Sequence, residues 1–352
     1  FLMAEMVGVP YSDIIRRAIL PAILYFTGIF LQVHLRAKRL DLKGIPRNEL
    51  PKWGQLLPKI YLLIPLVVLV VIIMSGYTMA RSAIIATILC IVISLVDKAV
   101  DTFFYHQKND TSIFTFLRAL ENGARNCLSI GIACGVAGII AGVVTLTGLG
   151  QIFISAIVGV ANGQLMIALF FTMITCIVLG MGVPTTANYC IMASTCAPIL
   201  IQMGFPVVAA HFFVFYFGIV ADITPPVALA AYAGAAIAKA NPMKTGFNAT
   251  KLAIAAFVVP YIFAYSPAML FVDVNSTFEV IQIVLSALLG LFGIAASLNG
   301  YLFKHLPWLF RIILIGGGLG MMIPGTMSDL AGFVLVGGVV LLQYLSAKKE
   351  IA

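Results

Sequence analysis

The chain has 352 residues, of which 62% are hydrophobic and 10% are charged, and its mean hydropathy is +1.09. These values exclude an ordinary soluble domain and, with many long apolar runs, predict an all-α polytopic membrane protein. The net charge of +8 does not indicate a nucleic-acid partner, because the basic residues lie in short segments between apolar runs, as in cytoplasmic loops. The six cysteines form no CxxC pair, so we expect small core residues and neither a zinc site nor a disulfide framework; they are Cys90, Cys127, Cys134, Cys176, Cys190 and Cys196.

The first apolar segments set the predicted orientation of the chain. Phe1 to Met6 has the composition of a helix end, which we interpret as the sign of a fragment whose upstream portion is missing. A turn over residues 8–13 precedes a spanning run from Ile14 to Leu35. Seven lysines and arginines then follow between Arg36 and Lys59, with only two acidic residues among them. This stretch is predicted to be cytoplasmic, since cytoplasmic loops are enriched in Lys and Arg.

A hairpin and an amphipathic segment come next. The runs Tyr61 to Met74 and Arg81 to Val96, joined at Ser75-Gly76-Tyr77, predict a helical hairpin that crosses the membrane and returns. From Ser112 to Arg125, apolar and charged residues separate onto two helical faces, which predicts an interfacial helix with a Glu121–Arg125 pair.

The run from Cys127 to Leu149 is predicted to cross outward. Glycines at three- and four-residue spacing lie along it and predict close packing against another helix; they are Gly131, Gly135, Gly138 and Gly142.

Four short apolar pieces follow a predicted outer loop at residues 162–164. They are Leu165 to Leu179, Tyr189 to Met203, Val207 to Val220 and Val227 to Ala238. The lysines from Lys239 to Lys251 place the next loop inside, so the number of crossings must be odd. At about 1.5 Å per residue each piece is short for a full crossing. One re-entrant hairpin and one broken span fit this count. The odd number of crossings does not say which two pieces form the hairpin and which two form the broken span. Four further runs then alternate sides: Leu252 to Val272, Val280 to Leu298, Trp308 to Ile323 and Leu330 to Leu345.

Two polar, proline-containing breaks interrupt these pieces, at residues 180–188 and 222–226. Backbone that leaves the helix at membrane depth is tolerated only where it is buried in protein or lines a cavity. Paired interrupted segments are also the best pointer in a sequence to the site of a secondary transporter. The two breaks therefore predict a binding site.

Asp222 and His211 are the only Asp, Glu, Lys, Arg or His residues between Asn126 and Ala238. A lone carboxylate at a helix break is a functional candidate, but Asp222 could equally cap the helix that restarts near Val227. We interpret His211 as a histidine satisfied by its neighbours rather than as a proton carrier.

Neutral oxygen atoms at the two breaks could coordinate a sodium ion. They belong to hydroxyls, one side-chain amide and the carbonyls of Gly180, Gly182, Val183 and Ile223. The helix that starts after Thr186 directs free N–H groups into the same region, where an anion could bind. The alternative is a plain proline kink with the hydroxyls bonded back to the preceding turn, but two breaks of matching chemistry favour a ligand site. The candidate substrate- and ion-binding residues are Gly180, Gly182, Val183, Pro184, Thr185, Thr186, Asn188, Asp222, Ile223, Thr224, Pro225 and Pro226, with Thr185, Thr186 and Thr224 as the expected sodium ligands.

Two segments resemble a known family. GMGVPTTANYCIMASTCAPIL, from residue 180, and AHFFVFYFGIVADITPPVALAAYAGAAIAKANPMKTG, from residue 210, are similar to the large membrane subunit of tripartite ATP-independent periplasmic (TRAP) transporters, in the form fused to the small subunit. The likeness is strong from Ser112 to Val272. Residues 1–35 resemble the end of the first inverted repeat of that family.

The resemblance implies a sodium-coupled permease that imports organic acids delivered by a periplasmic binding protein. The fold would be an inverted-repeat elevator in a bacterial or archaeal cytoplasmic membrane, with Leu165 to Met203 as the re-entrant hairpin and Val207 to Ala238 as the broken transmembrane helix. The implied domains are 1–35, the end of the first repeat; 36–111, a basic loop and hairpin; 112–273, the second repeat with the transport site; and 274–352, an extra C-terminal region without an assigned role. The first hairpin and first broken helix have no counterpart, so this chain alone is not expected to transport.

Two other function classes stay open. An intramembrane metal-dependent lipid or prenyl transferase could hold magnesium between Asp97 and Asp101, although these residues more simply begin a solvated cytoplasmic segment beside Lys98. A passive channel is the other alternative, but rings of charge and a filter motif are missing from the sequence. No Walker-type nucleotide-binding loop occurs either. We therefore expect a transporter rather than an enzyme, with sodium as the coupling ion and no other cofactor.

Overall fold

The structure is a computed structural model that describes residues 1–46, 49–50, 52–103, 112–274, 276–322 and 325–351. Of the predicted features, Arg47 in the basic loop, residues 104–111 and Ile323 lie outside these residues. The helices in chain order are α1 (Leu2–Val7), α2 (Tyr11–Arg39), α3 (Trp53–Leu56), α4 (Ile64–Met74), α5 (Met79–Phe103), α6 (Ile113–Leu146), α7 (Leu149–Ala161), α8 (Leu165–Gly180), α9 (Thr185–Thr195), α10 (Ala197–Gln202), α11 (Val207–Val220), α12 (Leu229–Ile237), α13 (Pro242–Leu252), α14 (Ile254–Tyr265), α15 (Thr277–Asn299), α16 (Trp308–Gly320) and α17 (Thr326–Ile351). Short 3₁₀ helices cover Leu57–Leu63, Ala221–Ile223 and Pro267–Leu270.

The all-α class is confirmed, because the described residues form helices and, beyond them, only an isolated bridge between Tyr301 and His305. The polytopic character is confirmed as well. Within the described ranges, six helical stretches are long and apolar enough to cross a membrane: Tyr11–Arg39, Leu57–Met74, Ala80–Thr102, Pro242–Tyr265, Thr277–Asn299 and Thr326–Lys348. The chain divides into two compact units.

The smaller unit contains Phe1 and residues 8–15 and 43–132. In it α4 and α5 form the predicted hairpin, and their turn lies where the sequence placed it. Lys59 Nζ lies 3.1 Å from Asp101 Oδ1 and 3.6 Å from Asp97 Oδ1, and the Tyr61 hydroxyl also donates to Asp97. The expectation that these aspartates begin a solvated segment is wrong, because α5 continues to Phe103 and Asp101 is buried.

The predicted interfacial helix and the following span are one continuous helix, α6. We attribute the difference to the absence of a proline or turn signal between the two segments, so nothing in the sequence ends the helix there. The predicted Glu121–Arg125 pair is confirmed at 2.8 Å. The expected close packing of the glycines is not seen, since a methyl group built on Gly135, Gly138 or Gly142 would meet no described atom within 4 Å.

The larger unit contains residues 2–7, 16–42 and 133–352. Its centre is α11, which is buried on nearly every side and packs against α8, α9 and α14. Phe213 and Phe217 on α11 contact the Tyr261 ring of α14 edge to face. An α-helix that is apolar all round is expected at the centre of a bundle.

Helix α7 was not predicted. Gly148, with φ +69°, separates α7 from α6, and Ile157 and Ala161 of α7 pack with Ala168 of α8 and Ile199 of α10. The expectation for the cysteines is wrong for Cys90 and Cys127, which are exposed, and confirmed for Cys176 and Cys196, which are buried.

The C-terminal helices α15, α16 and α17 pack on one another and on α2. At the contact between α2 and α14 the backbones are close, since a Cβ built on Gly28 would lie 2.3 Å from that of Ala255. At the end of α15, the buried Asn299 amide donates to Gln32 Oε1 at 2.6 Å, and Arg39 donates to the Asn299 carbonyl at 2.6 Å. These hydrogen bonds hold α2 against α15, although Gln32 Nε2 is buried and has no partner among the described residues.

Candidate functional site

The first break separates α8 from α9. Helix α8 ends at Gly180, Met181 is extended, and Gly182 has a φ of +75°. Only glycine adopts this backbone conformation without steric cost, so Gly182 makes the turn possible. Pro184 precedes the first residue of α9, Thr185, and no side chain caps this helix. The sequence prediction of a helix break at this point is confirmed.

The second break separates α11 from α12. Helix α11 ends at Val220, a 3₁₀ turn covers Ala221–Ile223, and Thr224 is extended. The Pro225–Pro226 peptide bond is cis, and Ala228, with φ +35°, leads into α12. Proline cannot donate the backbone hydrogen bond that a continuing helix needs, which explains why the helix is interrupted here.

The fold brings the two breaks together. A Cβ built on Gly180 would lie 3.1 Å from the Cβ of Ala221, and one built on Gly182 would lie 3.7 Å from Val227 Cγ1. Helix α8 packs against α9, and α11 is joined to α12 through the second break. The tip of the α8–α9 hairpin therefore touches the interruption in the α11–α12 segment.

Asn188 lies at the centre of this junction. Its side chain is 1% exposed, and its amide donates to the Gly218 carbonyl of α11 at 2.8 Å. A Cβ on Gly180 would come within 2.7 Å of Asn188 Nδ2, and one on Gly218 within 3.1 Å, so both glycines make room for the amide. Its Oδ1 is buried and has no hydrogen-bond partner in the described part of the chain. Such an unsatisfied acceptor costs about 1–3 kcal/mol.

The three threonines differ in what their hydroxyls contact. Thr224 Oγ1 donates to the Val220 carbonyl at 2.7 Å, which leaves its lone pairs free to bind a cation. The back-bonded arrangement considered for the PTTA segment is thus found at Thr224 instead. Thr185 is exposed and Thr186 is half-buried at the start of α9.

The predicted free carbonyls are only partly free. The expectation for Ile223 is wrong, because its carbonyl accepts from Thr250 Oγ1 at 3.0 Å. The carbonyl of Gly180 accepts a long bond from the Val183 N–H at 3.3 Å. Among the described residues, no hydrogen bond reaches the carbonyls of Gly182 and Val183. These two carbonyls lie at the hairpin tip, two and three residues after Gly180.

Pro225 and Pro226 of the second break contact α13 and α12, respectively. A Cβ on Gly246 of α13 would lie 3.2 Å from Pro225 Cγ, and the Pro226 carbonyl accepts from the Tyr232 hydroxyl at 2.6 Å. Their side of the break is therefore held in place by neighbours. Gly180 therefore lies beside Asn188, whereas Pro225 and Pro226 contact α13 and α12.

Asp222 is half-buried within the 3₁₀ turn. The capping alternative is wrong, because Ala228 occupies the N-cap position of α12 and no side chain bonds to that helix end. Within the described residues, Asp222 forms neither a hydrogen bond nor an ion pair. His211, by contrast, is buried and shares a 2.8 Å hydrogen bond with the Tyr189 hydroxyl through Nδ1, which confirms its interpretation as a satisfied histidine.

The sequence reasoning missed Gly218 and Thr250, which hold Asn188 and Ile223 respectively. Gly218 lies one turn before Asp222 in an otherwise bulky apolar helix, and that isolated glycine is a signal that could have found it. Thr172 Oγ1 of α8 is likewise buried without a partner in the described chain. No sequence signal distinguishes Thr172 from other helix threonines.

Residues 1–278 match the family described as the tripartite ATP-independent periplasmic transporter, DctM component. The chain belongs to this family. The TRAP resemblance is thereby confirmed, and the chain is a multi-pass membrane permease of a TRAP transporter, a class that works with a periplasmic binding protein. The match ends at the start of α15, so nearly all of the C-terminal three-helix region lies beyond it. No curated protein and no solved structure matched the chain.

Membership of a transporter family disfavours the transferase alternative. The geometry at Asp97 and Asp101 agrees with this, since both carboxylates already contact Lys59. In the part of the chain that is described, no cluster of three His, Cys, Asp or Glu side chains is arranged to hold a metal ion.

Proposed function

We propose that this TRAP permease imports organic acids by sodium-coupled symport in a bacterial or archaeal cytoplasmic membrane, through an inverted-repeat elevator mechanism. The observation that carries the proposal is the junction of the two helix breaks around the unpaired Asn188 oxygen. Interrupted membrane helices with loose oxygens are how secondary transporters bind their coupling ions.

Sodium binding accounts for the unpaired oxygen. The amide of Asn188 is held by Gly218, so its Oδ1 is fixed in place although no described group donates to it. The free carbonyls of Gly182 and Val183 and the lone pairs of the Thr224 hydroxyl are further neutral oxygens at the same two breaks. A hard monovalent cation gains from several neutral oxygens and would remove the desolvation cost of a buried acceptor.

The organic acid is proposed to bind at the start of α9. The first N–H groups of a helix lack intrahelical partners, and no side chain caps α9. Thr185 is exposed at this end, so a carboxylate can approach. The positive end of the helix dipole favours an anion there. Sodium and carboxylate would then lie at the same hairpin tip, where each charge favours the binding of the other.

The test is uptake of radiolabelled dicarboxylates or amino acids by the full-length protein in proteoliposomes, with its binding protein and with or without an inward sodium gradient. We expect uptake that needs both the gradient and the binding protein. Uptake that is indifferent to both would refute sodium-coupled symport and favour the channel alternative.

Asn188→Leu tests the role of the unpaired Asn188 oxygen, because leucine has a similar volume but no oxygen. We expect sodium-dependent uptake to be lost while size-exclusion behaviour is kept. Asn241→Leu is a matched control, since Asn241 only caps α13 by accepting from the Lys244 N–H. An Asn188→Leu protein with normal sodium dependence would remove Asn188 from the ion site.

A further inference from the structure

A pocket lies where the family-matched core meets the C-terminal helices. It has a volume of about 440 Å³ and is formed by the end of α14, the 3₁₀ turn after it and the first turns of α15 and α17. It is at the opposite end of the α13–α14 pair from Lys239 and Lys244, so the sidedness rule predicts that it opens to the outside. Its size is that of a small-molecule site.

The pocket is acidic. Asp273, Glu279 and Asp329 line it, and the described lining residues include no Lys, Arg or His. Glu279 and Asp329 each lie in the first turn of a helix, where a carboxylate complements the helix dipole. Asp273 lies outside both helices, so no helix dipole of α15 or α17 offsets its charge at its own position. On the adjoining 3₁₀ turn, the Leu270 carbonyl accepts a hydrogen bond from Arg17 of α2 at 3.5 Å.

A largely buried serine in the same pocket offers its hydroxyl to a ligand. Ser266 lines the pocket and is 6% exposed, and none of the hydrogen bonds between described residues involves its hydroxyl. Asp329 is held in place by Gln282, whose amide donates to Oδ2 at 2.8 Å. The Tyr265 ring also forms part of the wall. Aromatic faces attract organic cations.

The chemistry of the lining selects the class of ligand. A single metal ion does not fit, because the described carboxylates nowhere form a group of three arranged around one point. We infer that this pocket binds an ammonium or guanidinium group, whose several N–H donors can reach the spaced carboxylates and the Ser266 hydroxyl at once. Charge-assisted hydrogen bonds of this kind are about twice as strong as neutral ones. The inference does not depend on the transport reaction.

The experiment is isothermal titration calorimetry on the full chain in lipid nanodiscs at low salt. Agmatine is the probe for a free organic cation, and an acetylated peptide with one central lysine is the probe for a side chain of a protein partner. We expect saturable binding of at least one probe, weakened about tenfold or more by Asp273→Asn or Asp329→Asn and several-fold by Ser266→Ala. Tighter binding of agmatine assigns the site to a free cation, and tighter binding of the peptide assigns it to a lysine of a partner.

Asp41→Asn is the matched control. Asp41 and Asp273 have nearly the same backbone conformation, with φ of 50° and 51°, and asparagine tolerates it equally well in both. Both residues are exposed, so neither substitution disturbs the core. We expect Asp41→Asn to bind as the unaltered protein does. Absence of saturable binding of both probes, or equal weakening by Asp41→Asn and Asp273→Asn, would overturn the inference.

Discussion

Gly180→Ala is the sharpest test of the proposed ion site. The added Cβ would lie 2.7 Å from Asn188 Nδ2 and 3.1 Å from the Ala221 Cβ, both of them buried. Asn188 must then move, which breaks its 2.8 Å bond to the Gly218 carbonyl and shifts Oδ1. A buried carbonyl left unsatisfied costs about 1–3 kcal/mol.

If this cost falls on the ion-bound state, the sodium concentration for half-maximal uptake rises about 5- to 150-fold, at about 1.4 kcal/mol per factor of ten. The assay is uptake in proteoliposomes over a series of sodium concentrations. Gly234→Ala is the control, because a Cβ there meets no described atom within 4 Å. The reasoning is refuted if Gly180→Ala and Gly234→Ala show the same sodium dependence at equal expression.

Three further substitutions test neighbouring groups. Thr224→Ala removes a hydroxyl oxygen and is expected to weaken apparent sodium affinity about 2- to 10-fold. Thr224→Ser keeps the oxygen and should behave as the unaltered protein does. If uptake by Thr224→Ala and by the unaltered protein depends on sodium in the same way, this hydroxyl is not a ligand. Asp222→Asn removes a charge that caps no helix, so we expect about a tenfold loss of uptake, about 1.4 kcal/mol, at normal expression, and near-normal uptake would show that the charge is not used. Gly28→Ala places a Cβ 2.3 Å from that of Ala255 and should lower the free energy of unfolding by about 1–3 kcal/mol. Thermal unfolding measures this, with Gly316→Ala as the control because a Cβ there meets no described atom within 4 Å. Equal melting temperatures of the two variants would contradict the prediction.

The sequence predicts the positions of the helix breaks well because their signals are local. Gly182 and the prolines at 184, 225 and 226 interrupt the helix through backbone geometry that each residue carries with it. The same holds for the hairpin turn at residues 75–77, where a glycine follows an apolar run.

The partners across the breaks could not be predicted, because they depend on contacts between residues far apart in the chain. Nothing near Ile223 indicates that Thr250 occupies its carbonyl, and nothing near Asn188 indicates that Gly218 holds its amide. The sequence pattern also predicted two helices where α6 is one continuous helix, and it did not reveal α7. Amphipathic patterning describes which face is polar, but it does not say where a helix ends.

The polar contacts between α2 and α15 have a mechanical consequence. Separating these helices would leave the buried Gln32 and Asn299 side chains without their shared hydrogen bond, and Arg39 without its bond to the Asn299 carbonyl. Helix α2 and the end of α15 are therefore tied to each other, and a movement of one within this unit would carry the other with it.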